Sequence, residues 1–200
     1  SGPMDSWSFR LANLLVGNKA EEAALECQYT GPSLKFESDH VISICGGDMQ
    51  PKIDGTAVPL WESILVKRGQ TLELSFCLTG ARTYIAFSGS IQSELWLGSK
   101  STFHKAAVGG IDGRAIQEGQ KISLGISNGK IGKKIKADVI PQMSNNGVWE
   151  IEVVRGPNDD WLDNNGYQIF LDAKWKLQAR SDRTGFRLDG PLLSFNEKAT

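Results

Sequence analysis

The chain has 200 residues whose charges nearly cancel, with 22 lysines and arginines against 23 aspartates and glutamates. This balance provides no extended positive field, so neither nucleic acid nor an anionic membrane surface is an expected partner. Hydrophobic residues make up 40% and charged residues 22%, which is ordinary for a soluble globular protein with a substantial core.

Cysteine and histidine usage argues against metal and redox chemistry. Cys27, Cys45 and Cys77 are spaced too widely for a CxxC motif. Each lies in an apolar stretch, so we expect small buried side chains in a reducing cytoplasm. His40 and His104 have no ligand partner at metal spacing. No Ser-His-Asp or Cys-His pairing indicates a hydrolase, and no apolar run reaches the length of a membrane span.

The first predicted element is an amphipathic helix over residues 4–15, started by Asp5 or Ser6. Its apolar residues recur at helical spacing and are expected to face the core: Trp7, Leu11, Leu14 and Leu15. Gly17-Asn18 follows where a left-handed C-terminal cap belongs. A second short helix is expected at residues 19–26.

Between residues 33 and 124 the pattern changes to short β-type runs separated by glycine or proline. The runs read SLKF, HVISIC, KID, SILVKR, TLELSF, TYIAF and KISLG. Asp54-Gly55 and Arg68-Gly69-Gln70 are turn signals between them. Several short strands at close spacing predict a mainly β fold, an antiparallel sandwich or barrel with few helices.

The C-terminal third begins with a segment rich in glycine and lysine, residues 128–136, which we interpret as a solvated linker. A strand, a helix and two further strands are predicted beyond it. They cover residues 149–154, residues 163–172 with Asp163 or Asn164 at the start, residues 175–177 and residues 186–188. The predicted boundary divides the chain into subdomains 1–130 and 131–200.

Several segments of the sequence, in order, match one known family. They are SGPMDSWSFRLANLLVGN, LECQYTGPSLKF, GGD, RTYIAFSG, LGSKST, and a C-terminal set with GPNDDWLDNNGYQIF, SDRTG and FRLDGP. Together they resemble the carboxyltransferase domain of urea carboxylase, which is shared with the family of the C subunit of 5-oxoprolinase. The resemblance implies two cyclophilin-like β-barrel subdomains and a chain truncated at both ends.

The chemistry that the resemblance implies is transfer of a carboxyl group from carboxybiotin to a small nitrogen nucleophile, which is urea in urea carboxylase. Such a site needs donors to the ureido oxygen, an acceptor for the nucleophile's N–H and exclusion of water. The chain has neither an ATP-grasp pattern nor a biotinylation motif. We therefore expect carboxybiotin to be carried on another domain or subunit. The expected partners are biotin carboxylase and biotin carrier domains, or a sister subunit of related fold. ATP is not expected to bind to this chain.

Asp5, Asp182 and Arg183 are the expected catalytic residues. The carboxylate of Asp5 can accept N–H bonds from a urea or amide, but it is equally suited to capping the first helix. Arg183 offers a planar fork of donors for a carboxylate or ureido oxygen, and Asp182 with Arg183 can also simply fix a tight turn. Urea carboxylases often have Asn where this chain has Asp182, which leaves the substrate open.

Four further residues are expected to contact substrate. Ser1 lies beside the Asp5 motif, and Thr184 follows Arg183. Ser101 belongs to a GSKST loop that either forms a β-turn or cradles an anion through backbone amides. Asp48, after two glycines, is either a turn residue or part of the cleft.

Three functions remain open from the sequence. The first is a biotin-dependent carboxyltransferase module acting on urea or a related small amide or guanidine. The second is the C subunit of an ATP-dependent 5-oxoprolinase, which works with a partner of related fold and without biotin. The third, from another class, is a regulatory binding protein that antagonises a kinase inhibitor.

Overall fold

Antiparallel strand pairing dominates the computed structural model of this protein, which describes residues 2–144 and 147–197. The helices and strands in these ranges are α1 (Ser6–Leu15), β1 (Leu25–Gln28), β2 (Ser33–Lys35), β3 (His40–Asp48), β4 (Lys52–Ile53), β5 (Thr56–Ala57), β6 (Ser63–Val66), β7 (Thr71–Glu73), β8 (Thr79–Phe87), α2 (Asn164–Asp172), β9 (Lys176–Leu177) and β10 (Leu188–Asp189). Short 3₁₀ turns lie at His104–Ala106, Ala137–Val139 and Asp159–Trp161. The predicted mainly β fold with few helices is confirmed.

Two four-stranded sheets form most of the fold, with strand orders β1-β8-β3-β6 and β2-β7-β4-β5. The long strands β3 and β8 pair antiparallel at the centre of the first sheet, with Ile44 opposite Ile85. In the second sheet β4 and β5 are joined by the predicted Asp54-Gly55 turn, where both residues have positive φ. The described strands form open sheets and not a closed barrel.

The two faces of β3 bury different partners, because successive side chains of a strand point to opposite sides. Ile42 and Ile44 pack with residues of the second sheet such as Leu72. Val41 and Cys45 face the other way, against α1. Helix α1 therefore covers one face of the first sheet and the second sheet covers the other. The run HVISIC in β3 is buried on both faces as a result.

The buried face of α1 differs from the predicted one. Trp7 and Leu14 are each 51% exposed, so the expectation that both belong to the core was wrong. Leu15 is buried as predicted, and Ser8, Ala12 and Asn13 also face inward. Small side chains at Ser8 and Ala12 let the helix approach the sheet closely, and the Ser43 hydroxyl donates to the Ala12 carbonyl at 2.6 Å.

Residues 19–26 form no helix, which contradicts the prediction. The segment turns, and its end becomes β1, whose Leu25 and Glu26 pair with β8. The side-chain amide of Asn13 donates to the Glu22 carbonyl at 2.8 Å, which holds the turn against α1. Pairing with a distant strand therefore overrides the local helical preference.

Two predicted strands are also missing. The run KISLG contributes only an isolated bridge between Ile91 and Leu124. Residues 149–154 form no strand, and Ile151, Val153 and Val154 are at least 73% exposed. An alternating sequence becomes a strand only when another strand pairs with it, and within the described residues no pairing involves this segment.

The chain divides into two compact units, Ser1–Val148 and Trp149–Thr200. Residues 128–136 are mostly exposed, as predicted, but they lie within the first unit and do not link the two units. The Ser63 carbonyl accepts the Gly132 N–H, and the Ser63 N–H donates to the Lys133 carbonyl. The Ser63 hydroxyl donates to the Lys130 carbonyl at 2.8 Å. These contacts join residues 130–133 to β6 of the first unit, and the subdomain division at residue 130 stays a prediction about family architecture.

The second unit is built from α2 and the β9–β10 hairpin. The predicted start of the helix is confirmed, because the carboxylate of Asp163 accepts the backbone N–H of Gly166 at 2.7 Å. The Ser194 hydroxyl donates to the same carboxylate, and this hydrogen bond is the main cause of the lowered pKa of Asp163. None of the helices in the described ranges combines the length and the apolar character that spanning a membrane requires.

Candidate functional site

The carboxylate of Asp5 caps α1. Its Oδ1 accepts the backbone N–H groups of Trp7 at 3.1 Å and Ser8 at 3.0 Å, two donors that the first turn leaves without a helical partner. Its Oδ2 accepts the hydroxyl of Ser8 in a short hydrogen bond. The capping role that the sequence allowed for Asp5 is therefore present.

Capping does not use the whole carboxylate. An ionised carboxylate has about four acceptor positions, two on each oxygen. Backbone donors occupy both positions on Oδ1, and Ser8 occupies one on Oδ2. Counted in this way, Asp5 keeps one acceptor position, on Oδ2.

The backbone of the same segment is fixed by side chains of the first sheet. The Met4 N–H donates to Glu26 Oε2 at 3.0 Å, and the Asp5 N–H donates to the Tyr84 hydroxyl at 2.8 Å. Tyr84 in turn donates to Glu26 Oε2 at 2.9 Å, and Arg82 Nη1 donates to Glu26 Oε1 at 3.1 Å. We call Glu26, Arg82 and Tyr84 the anchor network.

The anchor network was not predicted from the sequence, although all three residues lie in segments that carry the family resemblance. Tyr84 is 1% exposed, and burial is the main cause of its raised pKa, so its hydroxyl stays protonated and can donate to Glu26. The available signal was a charged residue beside apolar ones in each of the family segments LECQYTGPSLKF and RTYIAFSG. A charged residue in a strand that the core buries calls for a partner.

Asp182, Arg183 and Thr184 form an exposed turn in the second unit. The Thr184 N–H donates to Asp182 Oδ1 at 2.7 Å, and Asp182 and Gly185 exchange backbone hydrogen bonds at 3.2 and 3.1 Å. The turn role that the sequence allowed for Asp182 is present. The backbone N–H groups of Thr184 and Gly185 are both used inside the turn. A ligand at this turn would therefore be bound by side chains, among which the guanidinium of Arg183 carries the most N–H donors.

Asp48 ends β3 and fixes the next turn. Its Oδ1 accepts the Gln50 N–H at 2.7 Å, which is the turn role expected from the sequence. The residue also lines an open depression of about 420 Å³ on the first unit, together with Lys52 and Leu60. Ser1, the remaining predicted contact at the N-terminus, lies outside the described residues.

The loop that contains Ser101 is held by an ion pair. Lys100 Nζ lies 2.6 Å from Glu22 Oε2, and the hydrogen bond from Lys100 is the main cause of the lowered pKa of Glu22. Both residues line a polar depression beside Asn18, past the C-terminal end of α1. Since ten helical residues span about 15 Å, the structure separates this loop from Asp5 at the other end. The charge of Lys100 is already matched by Glu22, which weakens the anion-cradle interpretation.

We expect Lys100→Met to destabilise the protein by about 1 kcal/mol at neutral pH, because it removes a half-buried ion pair. The folded pKa of Glu22 lies below its ordinary value of 4.5. The stabilisation is therefore complete above that value and is lost as the pH falls through the lowered folded pKa. Melting temperatures of wild type and variant should differ by a constant amount from pH 7 to about pH 5.5 and converge in more acidic buffer. A difference independent of pH would contradict this account.

The cysteines are free thiols. Cys27 and Cys45 are buried as predicted, and burial raises the pKa of Cys27 to about 12, so neither is poised as a nucleophile. Cys77 is only partly buried, and its thiol donates to the Thr79 carbonyl. Among the described residues, no group of three or more His, Cys, Asp and Glu side chains could hold a metal ion.

Comparison with known proteins tests the family resemblance. Residues 1–198 match the family described as carboxyltransferase domain, subdomain A and B. The chain belongs to this carboxyltransferase family. It is 38% identical over 198 residues to urea amidolyase of Saccharomyces cerevisiae, covering 96% of this chain and 11% of that protein. It is 31% identical over 194 residues to the C subunit of 5-oxoprolinase of Escherichia coli, covering 96% of this chain and 60% of that protein.

A solved structure supports the same relationship. The crystal structure of the Kluyveromyces lactis urea amidolyase matches this chain with a TM-score of 0.87 and 35% sequence identity, over 98% of this chain and 12% of that one. The chain thus spans about a tenth of the urea amidolyases it matches and under two thirds of the bacterial 5-oxoprolinase component. The predicted family and mainly β fold are both confirmed.

Proposed function

We propose that this chain is the carboxyltransferase module of a urea carboxylase-type enzyme. In this role it passes a carboxyl group from carboxybiotin, brought by biotin carboxylase and biotin carrier domains, to urea or a related small amide or guanidine. The observation that supports the proposal is the match to urea amidolyase over 96% of the chain. Identity to that protein is 38%, against 31% to the 5-oxoprolinase component.

Two of the predicted site residues have the chemistry that such a reaction needs. When bound, biotin supplies an activated carboxyl group on a ureido ring whose oxygen accepts hydrogen bonds. The guanidinium of Arg183 is a suitable donor for that oxygen, because its planar N–H fork matches carbonyl and carboxylate groups. The remaining acceptor position on Asp5 Oδ2 would suit one N–H of urea, and the carboxylate would stabilise positive charge developing on that nitrogen.

The proposal can be tested on the complete protein that contains this chain, together with its biotin carboxylase and carrier partners. We expect ATP hydrolysis and bicarbonate incorporation to depend on urea or guanidine and to stop when avidin sequesters biotin. The substrates to compare are urea, guanidine, acetamide and 5-oxoproline.

Each other result of this comparison identifies a different function. Turnover of 5-oxoproline that avidin does not inhibit would overturn the proposal in favour of a 5-oxoprolinase component, since the similarity covers 60% of the bacterial one. A folded complete protein that turns over none of the four compounds would also overturn it and would favour the regulatory binding role.

A further inference from the structure

The anchor network connects the interior of the first sheet to the residue proposed to contact substrate. Glu26 lies directly opposite Tyr84 in the pairing of β1 with β8, and Arg82 lies opposite Gln28. Residues two apart on a strand share a face, so all four side chains lie on the same side of these two strands. The Arg82 guanidinium accordingly donates to both Glu26 and Gln28, at 3.1 and 3.0 Å.

We propose that Tyr84 and Glu26 are positioning residues that act through Asp5. This inference rests on the proposed function, since it assigns these residues to the reaction in which Asp5 contacts the nucleophile. The Tyr84 hydroxyl accepts the Asp5 N–H at 2.8 Å and donates to Glu26 at 2.9 Å. Glu26 also accepts the Met4 N–H at 3.0 Å. Two consecutive backbone N–H groups ahead of α1 are therefore held by side chains of the sheet.

The position of the Tyr84 hydroxyl is itself determined by packing. The ring belongs to the cluster beneath α1 and meets Phe9 edge-on, with ring centroids 5.8 Å apart. Met4, by contrast, is 43% exposed, so apolar packing alone holds the segment weakly. Arg82 and Glu26 are largely buried, with side chains 17% and 20% exposed, which keeps their ion pair in place. The network thus transmits the rigidity of the core to Asp5.

A fixed backbone matters because the one open acceptor position of Asp5 must be aimed at a small substrate. Displacement of a reacting group by about 1 Å can lower a rate by about a hundredfold. A helix cap alone fixes the carboxylate relative to α1. The anchor network additionally fixes the Asp5 carboxylate relative to the sheet. Capping the helix does not require this second constraint, whereas aiming the carboxylate at a substrate does.

The first test is hydrogen exchange, measured by mass spectrometry on the complete protein. Tyr84→Phe keeps the ring but removes the acceptor of the Asp5 N–H. We expect peptides covering residues 2–9 to exchange at least about tenfold faster, while peptides from the middle of β3 keep their protection. Unchanged exchange in residues 2–9 would overturn the proposal. Glu26→Gln provides a second variant should Tyr84→Phe fold poorly, and it should accelerate exchange in the same peptides.

The second test is kinetic. Tyr84→Phe should lower kcat/KM for urea by about 10- to 100-fold at a temperature where the variant is fully folded. If Tyr84 acts through Asp5, the double variant Tyr84→Phe/Asp5→Asn should lie within about threefold of Asp5→Asn alone. Losses that multiply in the double variant would overturn the proposal, because they would show an independent role for Tyr84.

A matched control removes a hydroxyl bond to the same helix at a different place. Ser43→Ala deletes the bond to the Ala12 carbonyl in α1 and leaves the anchor network intact. We expect Ser43→Ala to lower stability by about as much as Tyr84→Phe and to leave kcat/KM unchanged. An equal loss of activity in Ser43→Ala would show that Tyr84 has only a structural role.

The failure of the proposed function can be told apart from the failure of this inference. If wild type transfers no carboxyl group to urea but hydrogen exchange in residues 2–9 still responds to Tyr84→Phe, only the proposed function fails and the positioning of Asp5 stands.

Discussion

Asp5→Asn is expected to lower carboxyl transfer to urea by about a hundredfold or more while leaving the melting temperature within a few degrees of wild type. Asn caps helices about as well as Asp. Its Oδ1 can keep the bonds from Trp7 and Ser8, and the Ser8 hydroxyl can rotate to accept from the new amide. The variant therefore retains the cap, and it loses the negative charge and the open acceptor position on Oδ2.

A second helix cap in the same chain provides the matched control for this prediction. Asp163 caps α2 and, like Asp5, accepts a backbone N–H and a serine hydroxyl. Asp163→Asn therefore makes the same chemical change at a cap to which we assign no part in the reaction. The measurement is kcat/KM for urea of both variants in the complete enzyme, beside their melting temperatures. Normal turnover in Asp5→Asn would show that Asp5 is only a capping residue.

The local chemistry of the sequence predicts the helix starts and most strands, whereas contacts between distant residues decide the rest. Asp5 and Asp163 were both predicted helix starts, because a capping side chain acts within three residues. Residues 19–26 look helical by composition, but the end of that segment pairs with β8. Nothing near it in the sequence indicates that partner. Equally, HVISIC predicts a strand without showing that α1 covers one face and the second sheet the other.

In the candidate site, too, local chemistry could be predicted and contacts between distant residues could not. Asp5 and the turn at Asp182 follow from a motif and from turn chemistry, and both have the local hydrogen bonds that such residues make. Tyr84 lies 79 positions from Asp5 and 58 from Glu26, so only the fold brings the three together.

Gly46→Ala is expected to destabilise the first unit by roughly 2–4 kcal/mol, which for a chain of this size lowers the melting temperature by about 10 °C. Gly46 lies in β3 at a register shift and has a φ of +108°, a conformation that strains other residues. A Cβ there would lie 2.4 Å from the carbonyl oxygen of Arg82, a backbone atom that cannot move without disturbing the β3–β8 pairing. The glycine is therefore required by close backbone approach as well as by conformation.

Gly69→Ala separates these two causes. Gly69 also has positive φ, at +87°, but a Cβ there would meet no atom within 4 Å. Its replacement should cost only the conformational strain, about 1 kcal/mol. Thermal unfolding of both variants beside wild type measures the difference, which reports the steric contribution at Gly46. Equal losses would show that β3 and β8 shift apart to accept the methyl group. Because Arg82 supplies both that carbonyl and the ion pair to Glu26, such a shift would also loosen the anchor network, and Gly46→Ala would then accelerate hydrogen exchange in residues 2–9.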